Sequence, residues 1–164
     1  MLKKRIIFTL LYYDNYFVLS RNFRLQKVGD INWLKKNYNF KKTALSLDEL
    51  IILNVRPQES DFDLFVENVK KISRDCFIPI SAGGGIDSLE KANLLLKSGA
   101  DKIVVNSLLN SNQSTVNDLS KYLGEQCLVA SVDFKEKDNN FLVFTNSGQR
   151  QINVSLKEYI KKIQ

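Results

Sequence analysis

A chain of 164 residues, 44% hydrophobic and 26% charged, is long enough for one compact domain with a sizeable core and is not of disordered composition. Lys and Arg number 24 against 18 Asp and Glu, a net +6 that suits an anionic partner without choosing between a phosphorylated metabolite and nucleic acid. There is no histidine, which excludes Ser-His and Cys-His nucleophilic pairs, His-ligated zinc and imidazole bases within the chain, and leaves Asp, Glu, Lys, Tyr, Cys and backbone dipoles.

The opening Met1-Leu2-Lys3-Lys4-Arg5 and the apolar run after it imitate a signal peptide. That run is short, is interrupted by Thr9 and leads into Asp14 without a small-residue cleavage site, so a cytoplasmic protein is expected. Residues 6–12 read as a buried strand, and 16–20 as a second strand after a turn at Asp14-Asn15. A helix is expected over 31–40, then a near-continuous apolar run at 50–55, the pattern of a strand covered on both faces. A helix follows over 61–73, a strand over 77–82, the turn Gly83-Gly84-Gly85 and a helix over 88–98. Asp87 or Ser88 is placed to cap that helix and Gly99 to stop it. A strand at 102–106, a helix near 115–123, a strand at 127–133, a hairpin strand at 141–145 and a helix from about 155 complete the chain. Cys76 and Cys127 are far apart, form no CxxC and sit in apolar contexts, which reads as two free thiols in a reducing compartment. Nothing in the pattern points to a metal, a cofactor or a membrane span.

Strand–helix alternation repeated five times predicts an α/β fold with parallel strands, and both a doubly wound sheet and a (β/α)8 barrel fit it. The absence of a Gly-x-Gly-x-x-Gly after the first strand disfavours the dinucleotide fold. An internal similarity favours the barrel. Residues 6–11, a polar turn and 16–20 can be laid on 128–133, a polar turn and 141–145, four strand–helix units later, as in a barrel built from two halves. The expectation is one domain over 1–164, a partial TIM (β/α)8 barrel of about five βα units with hairpins after strands 1 and 5.

Several stretches resemble the HisF family, the cyclase subunits of imidazole glycerol phosphate synthase. They are Pro79-Ile80-Ser81-Ala82-Gly83-Gly84-Gly85-Ile86, the run from Gly99-Ala100-Asp101-Lys102 to Asn106-Ser107, the run from Gly124-Glu125-Gln126-Cys127 to Asp133, and the opening Lys4-Arg5-Ile6-Ile7. The resemblance covers the whole chain, whereas the family's barrel needs about 250 residues. The related isomerase HisA shares the glycine turn, but Asn106-Ser107 and Gln126-Cys127 fit HisF better.

The glycine turn has its own physical reading. Glycines at a strand's C-terminal end let backbone N–H groups approach an anion without Cβ interference, and the following helix points its positive end the same way. The competing reading is a tight turn that merely needs glycine. The resemblance implies that Gly84, Gly85, Asn106 and Ser107 form one phosphate subsite, and that Asp133 is a carboxylate assisting ring closure. For Asp133, a turn cap is an equal alternative. The resemblance also implies that Arg5, Glu49 and Lys102 belong to a charged ring gating an ammonia passage, and that Asp101 and Gln126 face a HisH-like glutaminase partner. Paired charges at a barrel bottom can also serve stability alone.

Three positions depart from the family pattern. Leu11 stands where the catalytic acid/base Asp belongs, Leu19 where a Lys belongs and Asn54 where an Asp belongs. Leucine cannot transfer a proton, so ring closure through that position is excluded. The expectation is therefore a HisF-like synthase subunit that takes ammonia from a glutaminase to a phosphorylated or nucleotide-linked acceptor. It would be cyclase-deficient, resembling paralogues that amidinate a surface sugar. The alternatives are a non-catalytic partner or regulator of a glutaminase and an inactive truncated product. A nucleic-acid role is set aside, because no basic-aromatic cluster supports it.

Overall fold

A computed structural model of the protein describes residues 4–56, 61–138 and 140–163. The basic opening at 1–3 lies outside the described residues. Strand β1 (Ile7–Tyr13) turns at Asp14-Asn15, both with positive φ, into β2 (Tyr16–Arg21) and then β3 (Arg24–Gly29), a three-stranded antiparallel meander. Helix α1 (Ile31–Asn37) is capped by Asp30 and ends at an extended Tyr38. The Asn39 side chain then caps a separate short helix α2 (Phe40–Thr43), so the helix expected over 31–40 is broken. Next come β4 (Glu49–Asn54), α3 (Phe62–Ser73), β5 (Ile80–Gly83), α4 (Leu89–Lys97) and β6 (Lys102–Val105). The short α5 (Leu108–Ser111), α6 (Gln113–Leu123) and β7 (Leu128–Ala130) follow, then β8 (Asp133–Lys137), β9 (Asn140–Thr145), β10 (Arg150–Ser155) and α7 (Leu156–Ile163).

The main sheet runs β3-β2-β1-β4-β5-β6-β7, and β1, β4, β5, β6 and β7 are parallel and in sequence order. A doubly wound sheet would reverse that order at a switch point. The order is unbroken, and α3, α4 and α6 pack in one cluster with Leu50, Ile52, Ile80 and Ile103, which is the arrangement of a sector of a barrel wall. The sheet is not closed. A hairpin does follow the fifth parallel strand, but in a second antiparallel sheet, β10-β9-β8: β9 pairs with β8, in the stretch read as a polar turn, and not with β7, and β10 adds a third strand.

Period-2 alternation assigns the two faces. Leu10, Tyr12, Leu50, Ile52, Ile80, Ala82, Ile103 and Val105 are buried in one apolar cluster with Phe65, Val69 and Ile72 of α3, Leu95 of α4 and Leu119 of α6. Each buried Leu, Ile, Val or Phe among them contributes roughly 1.5–3 kcal/mol of transfer free energy. Their strand neighbours Leu11, Leu53 and Val104 face the other way, into the barrel interior. Ser88 caps α4 through its hydroxyl, and Gly99 follows the helix at φ +99°. Ser155 and Glu158 form a reciprocal capping box at the start of α7. Cys76 is buried and Cys127 half-buried, both free, and burial pushes the Cys76 thiol up. Among the described residues no helix is long and apolar enough to cross a membrane.

Candidate functional site

Because five strands are parallel, their C-terminal ends share one end of the sheet, and a cavity of about 700 Å³ opens there. Its floor is apolar, made by Leu11, Leu53 and Val104, and its rim carries Gly84, Gly85, Asn106, Ser107 and Asp133. These five rim residues are the ones the resemblance assigns to a phosphate and proton-transfer site, and the fold brings them together.

Gly83 is the last residue of β5 rather than part of the turn, pairing with Val104 in β6. The turn proper starts at Gly84 with φ +108° and continues at Gly85 with φ +74°. A Cβ on Gly84 would lie 2.1 Å from the Asn54 carbonyl oxygen, so glycine is required there by backbone conformation and by close approach. The turn leads to α4, whose N-terminal end supplies a positive dipole toward the same rim.

Asn106 and Ser107 follow β6, as expected. Asn110 Nδ2 donates to the Tyr159 hydroxyl at 2.5 Å, tying α5 just behind them to α7. Ser107 differs from expectation in one respect: its Oγ accepts from the Asn146 backbone N–H at 3.2 Å, so the hydroxyl already supports the turn between β9 and β10.

Asp133 does not end the fifth strand. β7 stops at Ala130, and Asp133 opens β8 in the second sheet. The chain leaves the ladder after Ser131 N–H donates to the Val105 carbonyl. The half-buried carboxyl still lines the cavity. Burial pushes its pKa up, and a hydrogen bond from the Asn106 side chain partly opposes that. A raised folded-state value means that the native state binds the proton more tightly than the unfolded chain. Stability contributed by this group is therefore highest in acid and falls as pH rises through the window from the ordinary carboxylate value up to the raised one. Asp133→Asn is expected to melt higher than the wild type at neutral pH, with the advantage vanishing in acid. Paired thermal melts across pH check this, and a pH-independent difference would contradict it.

The opposite end of the parallel strands carries the charged set. Arg5 Nη1 donates to Glu49 Oε1, with Glu49 almost buried at the start of β4. Lys102 opens β6 half-buried and forms no ion pair among the described residues, so the three do not make a joined ring. Asp101 is exposed, but its carboxylate accepts the Ile80 N–H at 2.7 Å, and this holds the start of β5. Gln126 is exposed in the 3-10 turn Glu125–Cys127. Leu19 is 63% exposed on β2, and Asn54 is buried with its Nδ2 lacking a partner among the described residues.

Sequence reasoning missed how the cavity mouth is built. The β2–β3 turn and the β9–β10 turn meet over it. Lys135 Nζ lies 4.7 Å from the Phe23 ring centre and 4.5 Å from that of Phe144, and the two rings are 6.3 Å apart. Gly148 approaches the Phe23 ring too closely to admit a Cβ. The detectable sign was the Asn146-Ser147-Gly148 run, a turn sequence whose residues all take positive φ. Arg56, also on the rim, was missed and had no such sign.

A profile of the histidine biosynthesis protein family matches residues 25–164. The "Putative imidazole glycerol phosphate synthase subunit hisF2" of Parasynechococcus marenigrum is 44% identical over 160 residues, which is 98% of this chain and 60% of that protein. The imidazole glycerol phosphate synthase subunit HisF of Thermotoga sp. is 32% identical over 165 residues, covering 100% and 64% respectively. HisF of Helicobacter hepaticus is 34% identical over 163 residues, covering 98% and 63%. The chain thus spans somewhat under two thirds of the length of these relatives. The sequential parallel strands, the glycine turn and the profile match agree: the chain belongs to the histidine biosynthesis protein family, on its HisF side.

Proposed function

We propose that this chain is a HisF-like synthase subunit that delivers ammonia from a HisH-like glutaminase to a phosphorylated or nucleotide-linked acceptor, without closing an imidazole ring. One observation carries the reading. The parallel strands put the Arg5–Glu49 pair and Lys102 at one end, and Gly84, Gly85, Asn106 and Asp133 around the cavity at the other. Nitrogen that moved along the apolar floor while shielded from water, as the open sheet would require of a covering partner, would stay neutral and nucleophilic, whereas in water it would be ammonium. The glycine amides and Asn106 would hold the acceptor's anion, and Asp133, with its raised pKa, would exchange a proton with the reacting group. Leu11 on the floor offers no second proton carrier, so the family's ring closure is not the assigned reaction. Asp101 and Gln126 are assigned to the glutaminase-facing rim. Amidination of a surface sugar in the cytoplasm is the reaction that these departures fit.

The test is transfer of ¹⁵N from labelled ammonium, or from labelled glutamine with a HisH-type glutaminase, into a panel of phosphorylated and nucleotide-linked sugars. Mass spectrometry is expected to find label in an acceptor and none in an imidazole. Stimulated glutaminase turnover without labelled acceptor would replace the synthase reading with that of a regulator.

A further inference from the structure

Arg56 is the only cationic side chain among the described residues that line the cavity. Its backbone φ is 143°, a strained region for a residue with a Cβ. Its Nη2 donates to the Phe23 carbonyl at 3.0 Å, which engages one of the five guanidinium N–H donors and aims the side chain along the mouth.

The ladder fixes its neighbourhood. Leu53 of β4 is in register with Gly83 of β5, so Asn54 runs beside Gly84, and Arg56 stands two residues further along the same rim. Adjacent strands are about 4.8 Å apart. Arg56, Gly84 and Gly85 line the same cavity, and an arginine side chain is long enough to span one strand spacing. Asp133 lies on the far side of the cavity, beyond β6, so Asn106 stands between the two opposite charges.

We propose that Arg56 makes the glycine turn a site for two adjacent anionic groups, as in a diphosphate. The turn amides and Asn106 take one phosphate, and the planar guanidinium takes the other by paired N–H donation. This rests on the reading of the cavity as the acceptor site, and within it selects acceptors carrying a diphosphate over simple monophosphates. The strain at Arg56 is then explained by where its side chain must stand.

The test compares binding of inorganic pyrophosphate and inorganic phosphate to the whole chain by calorimetry, with amide shifts of Gly84 and Gly85 as a second readout. The wild type is expected to prefer pyrophosphate by about tenfold or more. Arg56→Gln is expected to abolish that preference while leaving phosphate affinity and the glycine shifts within about twofold, and Arg56→Lys to keep part of it. If Arg56 only clamps the hairpin, Arg56→Gln weakens both anions alike, and the proposal falls. Phosphate binding at the glycines without any pyrophosphate preference in the wild type overturns this proposal alone. No glycine response to either anion overturns the acceptor-site reading together with it.

Discussion

Replacing Gly84 by alanine is expected to lower the unfolding free energy by roughly 2–5 kcal/mol and to abolish phosphate binding in whatever protein still folds. The residue sits at φ +108°, where a side chain is strained, and its added carbon would lie 2.1 Å from the Asn54 carbonyl oxygen, a backbone atom that cannot swing away. Relief requires β4 and the turn to separate, and that moves the Gly84 and Gly85 amides to which the anion is assigned in the proposed function. Asn106→Ala is the complementary variant, losing a side-chain donor on the rim with far less effect on folding. Urea denaturation and phosphate titration of the two variants separate the effects. A Gly84→Ala protein of wild-type stability would show that the turn is slack and does not hold its amides in place.

With Leu11 in the cavity floor, imidazole formation from ammonium and the family's acyclic precursor is expected to run about 10²–10⁴-fold below that of a relative bearing a carboxylate there. Leu11→Asp alone is not expected to restore it. The new carboxyl would sit beside Leu53 and Val18, its register partners on β4 and β2, in a cavity that already holds Asp133. Apolar surroundings and a like charge both favour its protonated form, which leaves no base at neutral pH. Leu19 and Asn54 would still depart from the family pattern. Steady-state assays of the wild type and Leu11→Asp decide the matter, and wild-type cyclisation at a relative's rate would refute the assignment of a different reaction.

What could be read from the sequence depended on how strongly burial marks a residue. The runs at 6–12 and 50–55 became β1 and β4; the second is buried along its length, as unbroken apolar character suggests, whereas β1 is exposed at its start, with Ile7 44% exposed. β3 and β10 escaped notice. Arg24–Gly29 carries only Leu25 and Val28 as large apolar residues, Arg150–Ser155 is mostly exposed, and an outer strand with little buried surface leaves a weak pattern. The strand expected over 77–82 began later, because Pro79 has no N–H to give a ladder and Phe77 is 81% exposed.

The site divides in the same way. The place of Gly84, Gly85 and Asn106 on the rim was legible because each follows a strand, and strand ends can be located by pattern. Asp133 was found as a residue but misplaced as a strand terminus, since sequence does not show that β7 ends at Ala130. Arg56 had no periodicity, cap or glycine beside it, and only the register of β4 against β5 reveals what it stands next to. The competing duties of Ser107 and Asp101 were equally hidden, because their partners, Asn146 and Ile80, are remote in sequence.

The Phe23–Lys135–Phe144 contact also has a bearing on synthesis. Translation delivers the Phe23 hairpin early and the Phe144 hairpin late, so a nascent chain on the ribosome can hold the glycine turn and Asn106 long before anything covers them. The entrance is finished only when the late hairpin emerges. A half-made polypeptide would therefore expose an unroofed basin to solvent until the late hairpin has emerged.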